Sequence, residues 1–275
     1  MAYVQNAYVS LFDEDDDGPE DVTYKADVAN AVGNGGDDRF TIEKYVSHDD
    51  MGDDNDTVIF KNFAGAANVI LGDGDDRLLG SNAAEGQNAD YIAAIDAGAG
   101  NDIIVINGAG TVDLGNGADD LTANGYVGQI HATGTAGNTL ALNAGAGTVD
   151  LGDGNDVVTA DAWLIGLTAG GGDDDISLSG GGDTIDLGEG ADILNADGYI
   201  ISLDAGDGDD TVTLNASGGI IDLGEGNDTF QSTSGWISGV SGGLGEDDIT
   251  IAGGTAHGGA GNDPLATDGA SVSFL

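Results

Sequence analysis

A short cluster of two glycines and one aspartate, Gly-x-Gly-x-Asp, recurs along this chain at a spacing that is usually eighteen residues. Residues 72–76 form a full copy, residues 52–56 and 33–38 form weaker ones, and a degenerate copy at Gly134-x-Ala136-x-Asn138 fills the one long gap. Repetition at this period is typical of solenoids, in which each repeat folds by stacking on its neighbours. The first glycines of the later copies are Gly98, Gly115, Gly152, Gly170, Gly188, Gly206, Gly224, Gly243 and Gly259.

Apolar and polar residues alternate in two short runs between successive clusters. After Asp210, Val212 and Leu214 form one run, and Ile221 and Leu223 form the next. An alternation of period two predicts a short β-strand with one buried face. Two such strands and two turns fill eighteen residues, so the sequence predicts an all-β fold, a parallel β-solenoid.

Neighbouring copies of the cluster differ in kind. The copies that begin at 152, 188 and 224 resemble each other, and so do those that begin at 134, 170 and 206, which makes the full repeat thirty-six residues long. Either two unlike eighteen-residue rungs make up one repeat, or a single wide coil carries clusters on opposite edges. We favour the first, because eighteen residues suffice for a flat coil of two sheets.

The chain is extremely acidic. It has 50 acidic residues against five basic ones, for a formal net charge of −45, and its last basic residue is Arg77. Nucleic-acid binding is excluded, since it needs clusters of Lys and Arg. Some other positive charge must relieve the repulsion if the chain is to fold. The 40% hydrophobic content, placed at regular intervals, argues against disorder.

Targeting signals and cysteines give few constraints. The sequence has no run of eighteen apolar residues and no positively charged N-terminal region, so neither a membrane span nor a Sec-type signal is predicted. The absence of Cys excludes disulfides. That absence fits both a reducing cytosol and an exported protein that uses metal ions instead.

The residue types of the cluster suit a calcium site. Glycine permits positive φ and close approach of neighbouring backbones, so carbonyl oxygens can point into the gap between rungs, and the aspartate adds a carboxylate there. Hard oxygen ligands at this density favour Ca²⁺ over Mg²⁺ or a thiophilic metal. Ten divalent ions would cancel roughly 20 of the negative charges, so we expect metal binding and folding to be coupled.

On these residues the chain resembles the RTX-type calcium-binding β-roll family, whose nonapeptide is Gly-Gly-x-Gly-x-Asp-x-apolar-x. The resemblance covers about residues 72–263. Leu or Ala usually stands where the family has its first glycine, and only alternate nine-residue halves carry the aspartate. This implies calcium along one edge of the solenoid, similar to the one-sided repeats of large bacterial adhesins. Matching stretches include LGDGDDRLL, AGAGNDIIV, LGDGNDVVT and LGEGADILN.

The resemblance implies roughly one Ca²⁺ per rung, held by cluster aspartates and by the backbone carbonyls of cluster glycines. The aspartates are Asp56, Asp76, Asp102, Asp119, Asp156, Asp174, Asp192, Asp210, Asp228, Asp247 and Asp263. The glycines are Gly72, Gly74, Gly98, Gly100, Gly115, Gly117, Gly152, Gly154, Gly170, Gly172, Gly188, Gly190, Gly206, Gly208, Gly224, Gly226, Gly243, Gly245, Gly259 and Gly261.

A further calcium loop is considered near the N-terminus. Asp13, Asp15 and Asp17 precede Gly18 in the D-x-D-x-D-G order of an EF-hand loop, but Tyr24 stands where that loop has Glu. The alternative is a solvated acidic run.

Aromatic residues recur about every thirty-six residues, each beside a turn. They form either edge caps over small turn residues or an interaction stripe for a protein or glycan partner. The members of this stripe are Tyr91, Tyr126, Trp163, Tyr199 and Trp236.

Three segments are predicted. Residues 1–64, rich in aromatic and basic residues, are expected to cap the solenoid or attach it to a scaffold. Residues 65–263 form the calcium-binding solenoid. Residues 264–275 form a C-terminal tail that loosely resembles the export signal of type I secreted RTX proteins.

These features predict a non-enzymatic extracellular structural or adhesion protein of the surface-layer, matrix or adhesin type, stiffened by Ca²⁺. The alternative is a phage virion component, a fibre or capsid decoration protein, on the same solenoid. No catalytic domain fits beside the repeats; Gly239-x-Ser241-x-Gly243 matches a nucleophile elbow, but Gly243 belongs to the next cluster. Ice binding on the calcium edge of the similar adhesins needs Thr between the glycines, which is absent here. Expected partners are other copies, a cell-surface or virion scaffold, or a glycan.

Overall fold

The computed structural model describes residues 2–5, 12–13, 18–62, 64–80, 91–267 and 272–274 of the 275-residue chain. Every regular element in these ranges is a β-strand, and none of the described residues forms a helix that could cross a membrane. The strands are β1 (Ala2–Gln5), β2 (Phe12–Asp13), β3 (Asp21–Tyr24), β4 (Val28–Val32), β5 (Arg39–Ile42), β6 (Val46–Asp50), β7 (Thr57–Phe60), β8 (Ala66–Ile70), β9 (Arg77–Leu79), β10 (Tyr91–Asp96), β11 (Ile103–Ile106), β12 (Gly108–Asn116), β13 (Asp120–Ala123), β14 (Val127–Thr133), β15 (Thr139–Leu142), β16 (Ala146–Asp150), β17 (Val157–Ala160), β18 (Leu164–Gly171), β19 (Asp175–Leu178), β20 (Gly182–Glu189), β21 (Ile193–Ala196), β22 (Ile200–Asp207), β23 (Thr211–Leu214), β24 (Gly218–Asp222), β25 (Thr229–Ser232), β26 (Ile237–Ser241), β27 (Asp248–Ile251), β28 (Gly254–His257), β29 (Leu265–Thr267) and β30 (Val272–Phe274).

The chain divides into two compact units. Unit 1 comprises Met1–Gly134 and Asn138–Asn143, and unit 2 comprises Thr135–Gly137 and Ala144–Leu275. In unit 1 the odd-numbered strands β1 to β15 form one parallel sheet and the even-numbered strands β2 to β14 form another. In unit 2 the odd-numbered strands β17 to β29 and the even-numbered strands β16 to β30 form two parallel sheets in the same way. One strand of each sheet makes one rung, so the predicted parallel β-solenoid is confirmed.

The strand register settles the length of the coil. Leu164 of β18 lies opposite Gly182 of β20, which in turn lies opposite Ile200 of β22. Each step along the stack is therefore eighteen residues. Two unlike rungs make up the thirty-six-residue repeat, as favoured from the sequence, and the wide-coil alternative is wrong.

The core lies between the two sheets of each unit. In one rung of unit 2, Ile176 and Leu178 of β19 and Ile185 and Leu187 of β20 are at most 1% exposed. Their neighbours in the strands face outward, as the alternation of the sequence requires. Because the strands are parallel and in register, these apolar residues stack in columns along the solenoid, and their burial is the main favourable term for folding.

Strands β3 to β8 belong to the same sheets as the repeats that follow. β5 pairs with β7 and β7 pairs with β9, so strand pairing continues through residue 64, where a boundary was predicted. Tyr24, Phe40 and Phe60 are buried in these rungs. At the other end, β29 and β30 of the predicted tail pair with β27 and β28. The separate roles of residues 1–64 and 264–275 stay predictions.

Candidate metal centre

Each cluster forms the turn from an even-numbered strand to the next odd-numbered strand, so the clusters of a unit share one edge. β20 ends at Glu189 and β21 begins at Ile193, with the rest of a cluster between them. Gly188 and Gly190 have φ of 108° and 141°, a region that side chains rarely adopt. All the predicted glycines except Gly154 and Gly261 share this positive φ.

The two weaker copies keep the same backbone without the full glycine pair. Asp54, in the place of a second glycine, has φ of 84°, and Asn34, in the place of a first glycine, has φ of 73°. Asn and Asp tolerate this conformation better than other side chains. The cluster turn therefore begins earlier in the chain than the glycine pattern alone predicts.

The glycines also bring carbonyl oxygens of one turn against the α-carbons of the next. A Cβ on Gly206 would collide with the carbonyl oxygen of Gly188, and one on Gly208 with that of Gly190. The carbonyl oxygen of Gly206 accepts the N–H of Glu225 at 2.8 Å. These oxygens therefore lie between successive turns. Because a carbonyl oxygen has a second lone pair, each can still bind a cation.

The cluster aspartates form a hydrogen-bonded column in each unit. The N–H of Asp174 donates to Oδ1 of Asp192 at 2.8 Å, and the N–H of Asp192 donates to Oδ1 of Asp210 at 2.9 Å. The same bond joins Asp76 to Asp102 at 2.8 Å although they are 26 residues apart. In unit 1 the column runs through Glu20, Asp38, Asp56, Asp76, Asp102, Asp119 and Asn138, and in unit 2 through Asp156, Asp174, Asp192, Asp210, Asp228, Asp247 and Asp263.

The second carboxylate oxygen of most column residues is buried without a protein partner. A buried carboxylate oxygen is unfavourable unless a donor or a cation compensates it. The surface ion pair of Arg39 with Asp21, at 3.9 Å, lies elsewhere, and the sequence has no Lys or Arg after Arg77. Among the described residues, Oδ2 makes no hydrogen bond in Asp56, Asp76, Asp102, Asp119, Asp174, Asp192, Asp210, Asp228 and Asp247.

Burial makes these carboxyl groups hard to ionise in the absence of a cation. Desolvation raises the pKa of Asp210 to about 7; the N–H bond from Asp192 opposes the shift, and the charges of Asp192 and Asp228 add to it. Desolvation likewise raises the pKa of Asp56 to about 8 and that of Asp174 to about 7. A divalent cation beside a carboxylate favours the ionised form, so protons and cations should compete for this column.

The donor set fits Ca²⁺ only if the main chain contributes. Within the described residues, no three His, Cys, Asp or Glu side chains gather as a metal site. Each turn adds one carboxylate to the column, and the next lies about 4.8 Å away, one strand spacing along. Ca²⁺ accepts six to eight oxygens, carbonyls included, in flexible geometry. The cluster aspartates and glycines would hold the ion, which would supply the positive charge that the chain lacks.

The structure brings together the predicted ligands, and their role as metal ligands stays a prediction. Asp263 is partly buried and ends the column, accepting the N–H of Asp247 at 3.2 Å. Of the proposed EF-hand-like loop, Asp15 and Asp17 lie outside the described residues, and only the backbone of Asp13 is described, in β2. The predicted aromatic stripe lies apart from the cluster turns, at or immediately before the starts of even-numbered strands.

A second, outer ladder of hydrogen bonds was not predicted from the sequence. It consists of the residue just before each cluster aspartate. The N–H of Asn101 donates to Oδ1 of Asp75 at 2.8 Å, and the N–H of Asn227 donates to Oδ1 of Asp209 at 2.7 Å. These bonds point back toward the preceding rung, opposite to the bonds of the aspartate column. The frequent Asn or Asp before the cluster aspartate was the available signal.

No family model matches the chain, and no curated protein matches it. A solved structure does match: the X-ray crystal structure of a hyperactive, Ca²⁺-dependent, beta-helical antifreeze protein from an Antarctic bacterium. The TM-score is 0.65 at 21% identity, over 96% of this chain and 83% of that chain. At this identity the likeness shows the β-helical fold alone. Membership of the RTX family stays a prediction.

Proposed function

We propose that the chain is a non-enzymatic structural or adhesion protein of the extracellular surface-layer, matrix or adhesin type, folded and stiffened by Ca²⁺ between its rungs. The observation that carries this proposal is the column of buried Oδ2 atoms without protein partners on stacked glycine turns. The Ca²⁺ dependence of the β-helical neighbour supports it.

Calcium availability explains why such a protein would work outside cells. Extracellular calcium modules bind at about 10⁻⁴ to 10⁻³ M, far above the free calcium of cytosol. The apo chain keeps its repulsion and its unpartnered carboxylates, so it stays unfolded where calcium is scarce. Because the ion binds only the folded state, export into millimolar calcium drives folding by mass action.

The antifreeze activity of the neighbour is not part of the proposal. The residues between the cluster glycines include Glu189, Asp207 and Glu225, which are exposed on the calcium edge. Charged carboxylates hold liquid water strongly, whereas the ice-binding edge considered above needs Thr. An ice-recrystallisation assay on the calcium-loaded chain should therefore be negative.

The test is calcium titration of the purified chain, followed by circular dichroism and isothermal titration calorimetry. We expect β-structure to appear with millimolar Ca²⁺ and to disappear with EGTA, with about one ion bound per cluster turn. Equal concentrations of Mg²⁺ serve as the control and should not replace Ca²⁺. An unchanged spectrum with EGTA, or one or two ions per chain, would contradict the proposal. Electron microscopy with and without calcium then reports whether copies assemble into sheets or filaments.

A further inference from the structure

Exposed aromatic residues lie at, or one residue before, the start of alternate even-numbered strands. Three belong to unit 1 and three to unit 2, and we call each set of three an aromatic column. Their exposed fractions range from 37% for Trp163 to 63% for Tyr91. The columns are Tyr45, Tyr91 and Tyr126 in unit 1, and Trp163, Tyr199 and Trp236 in unit 2.

A small residue holds the same position on the strand between two aromatic residues. Tyr91 lies opposite Gly108. In unit 2 the register places Gly181 between Trp163 and Tyr199, and Ser217 between Tyr199 and Trp236. The rings therefore recur at every second strand, at an interval of about 9.6 Å along the sheet.

One ring in each unit reaches over the neighbouring strand. Trp163 Nε1 donates to Oδ1 of Asp183 at 3.0 Å, and Asp183 lies two residues after Gly181 on the next strand. Tyr91 Oη lies 3.0 Å from the point where Gly110 would place a Cβ, two residues after Gly108 on the next strand. A larger side chain between the rings would block these contacts. The alternation of aromatic and small residues thus builds a platform with ring surface open to solvent.

The chemistry around the platform disfavours anionic ligands and suits a ligand with many hydroxyl groups. In unit 2, Ile165 and Ile201 are 50% and 47% exposed and extend the apolar surface. Asp183 lies between them and offers a carboxylate acceptor, oriented by Trp163. A net charge of −45 repels anionic polymers. Pyranose rings have apolar C–H faces that pack on aromatic rings, and hydroxyl edges that donate to carboxylates.

We propose that each aromatic column binds an extended, uncharged β-1,4-linked polysaccharide, with alternate sugars stacked on successive rings. Such a chain turns by half a revolution at each sugar, so the same face recurs at every second residue, as the rings do at every second strand. This inference rests on the proposed adhesion function, for which it names the class of partner. It also explains why the repeat is thirty-six residues long. Calcium sites in every eighteen-residue rung would not require neighbouring rungs to differ.

The test uses the full chain in millimolar Ca²⁺, checked by circular dichroism for folding. Binding to insoluble cellulose and chitin is measured by sedimentation, and binding to cellohexaose and chitohexaose by calorimetry, with starch as the α-linked control. We expect binding to at least one β-1,4-linked polymer, little binding to starch, and little change at high salt. Tyr199→Ala and Trp236→Ala should each weaken binding about three- to tenfold. Ile193→Ala removes a similarly exposed apolar side chain from the other sheet and should have no effect.

The outcomes separate this inference from the proposed function. A chain that folds with calcium but binds none of the polymers, or whose aromatic variants bind as well as the parent, overturns the glycan assignment and leaves the proposed function standing. Aromatic-dependent self-association would make a second copy the occupant, and salt-sensitive capture of a basic protein would make that protein the occupant; either overturns the glycan. Failure to fold with calcium would instead overturn the proposed function.

Discussion

Replacing Asp210 by Asn separates the hydrogen bond of the aspartate column from its charge. Asn keeps an oxygen to accept the N–H of Asp192, as Asn138 already does for Asp119 at 3.1 Å. It places a neutral amide where the unpartnered Oδ2 lies. We therefore expect the sign of the effect on stability to depend on calcium.

The structure sets the size of both effects. The pKa of about 7, against 3.8 for an ordinary aspartate, means that ionised Asp210 destabilises the calcium-free fold by about 4 kcal/mol above pH 7. Solvent screening at the edge of the turn reduces this to about 2 kcal/mol. Without calcium the variant should gain this much. With calcium it loses a ligand, and one site filled at a hundred times its Kd is worth about 2.7 kcal/mol.

The assay is urea unfolding at pH 8, followed by circular dichroism, once in EGTA and once in millimolar Ca²⁺. Where the calcium-free chain is unfolded before urea is added, the measured gain is β-structure at zero urea. Asp175→Asn is the matched control, since that neighbouring carboxylate is exposed on β19 and should change little in either condition. A change of the same sign in EGTA and in calcium would refute the assignment of Oδ2 to a cation.

Three further changes test other parts of the structure. Because the pKa values of the column are raised in the folded state, the calcium-free fold should be most stable near pH 4 and lose stability as the pH rises to 8. Circular dichroism without calcium should therefore show more β-structure in acid, and a signal that does not change with pH would contradict this. Asp49 is fully buried with neither carboxylate oxygen hydrogen-bonded among the described residues, and burial raises its pKa to about 8. Asp49→Val, matching Val69 on the next strand, should stabilise the fold by about 3 to 6 kcal/mol at pH 8 and far less at pH 4; equal effects at both pH values would count against a buried charge. Gly190→Ala should cost at least about 2 kcal/mol and lower the number of bound Ca²⁺, because its Cβ would meet the carbonyl oxygen of Gly172. Gly166→Ala has room for a Cβ and should be tolerated in the same unfolding assay. If both variants lost the same stability, the collision with the carbonyl oxygen would not be the cause.

The sequence predicted the fold because period and alternation dictate it directly. Glycine pairs at a fixed offset from Asp192 or Asp210 require stacked turns, and alternating apolar residues then require two sheets. The extent of the stack was harder to predict. Asn34 and Asp54 adopt the glycine conformation without being glycine, and Phe40 and Phe60 lie in the core of rungs that precede the first full glycine pair.

The contacts within the site could not be predicted in detail, because they depend on the register between neighbouring strands, which composition does not specify. The direction of the hydrogen bonds along the aspartate column follows from how each turn sits on the next. The outer ladder needs Asn101 and Asp75 to be neighbours in space, although they are 26 residues apart. Tyr45 was not included in the predicted stripe, because the long segment between β8 and β10 makes its separation from Tyr91 greater than thirty-six residues. Only the strand pairing shows that Tyr45 belongs to the same column as Tyr91.

The bond between Asp76 and Asp102 has a practical consequence. The chain between these two rungs is longer than the usual eighteen residues, yet the N–H to Oδ1 distance of 2.8 Å equals that of ordinary neighbours. Protein engineers could therefore lengthen the connection between two rungs with foreign peptides and display them without disturbing the ladder of carboxylates.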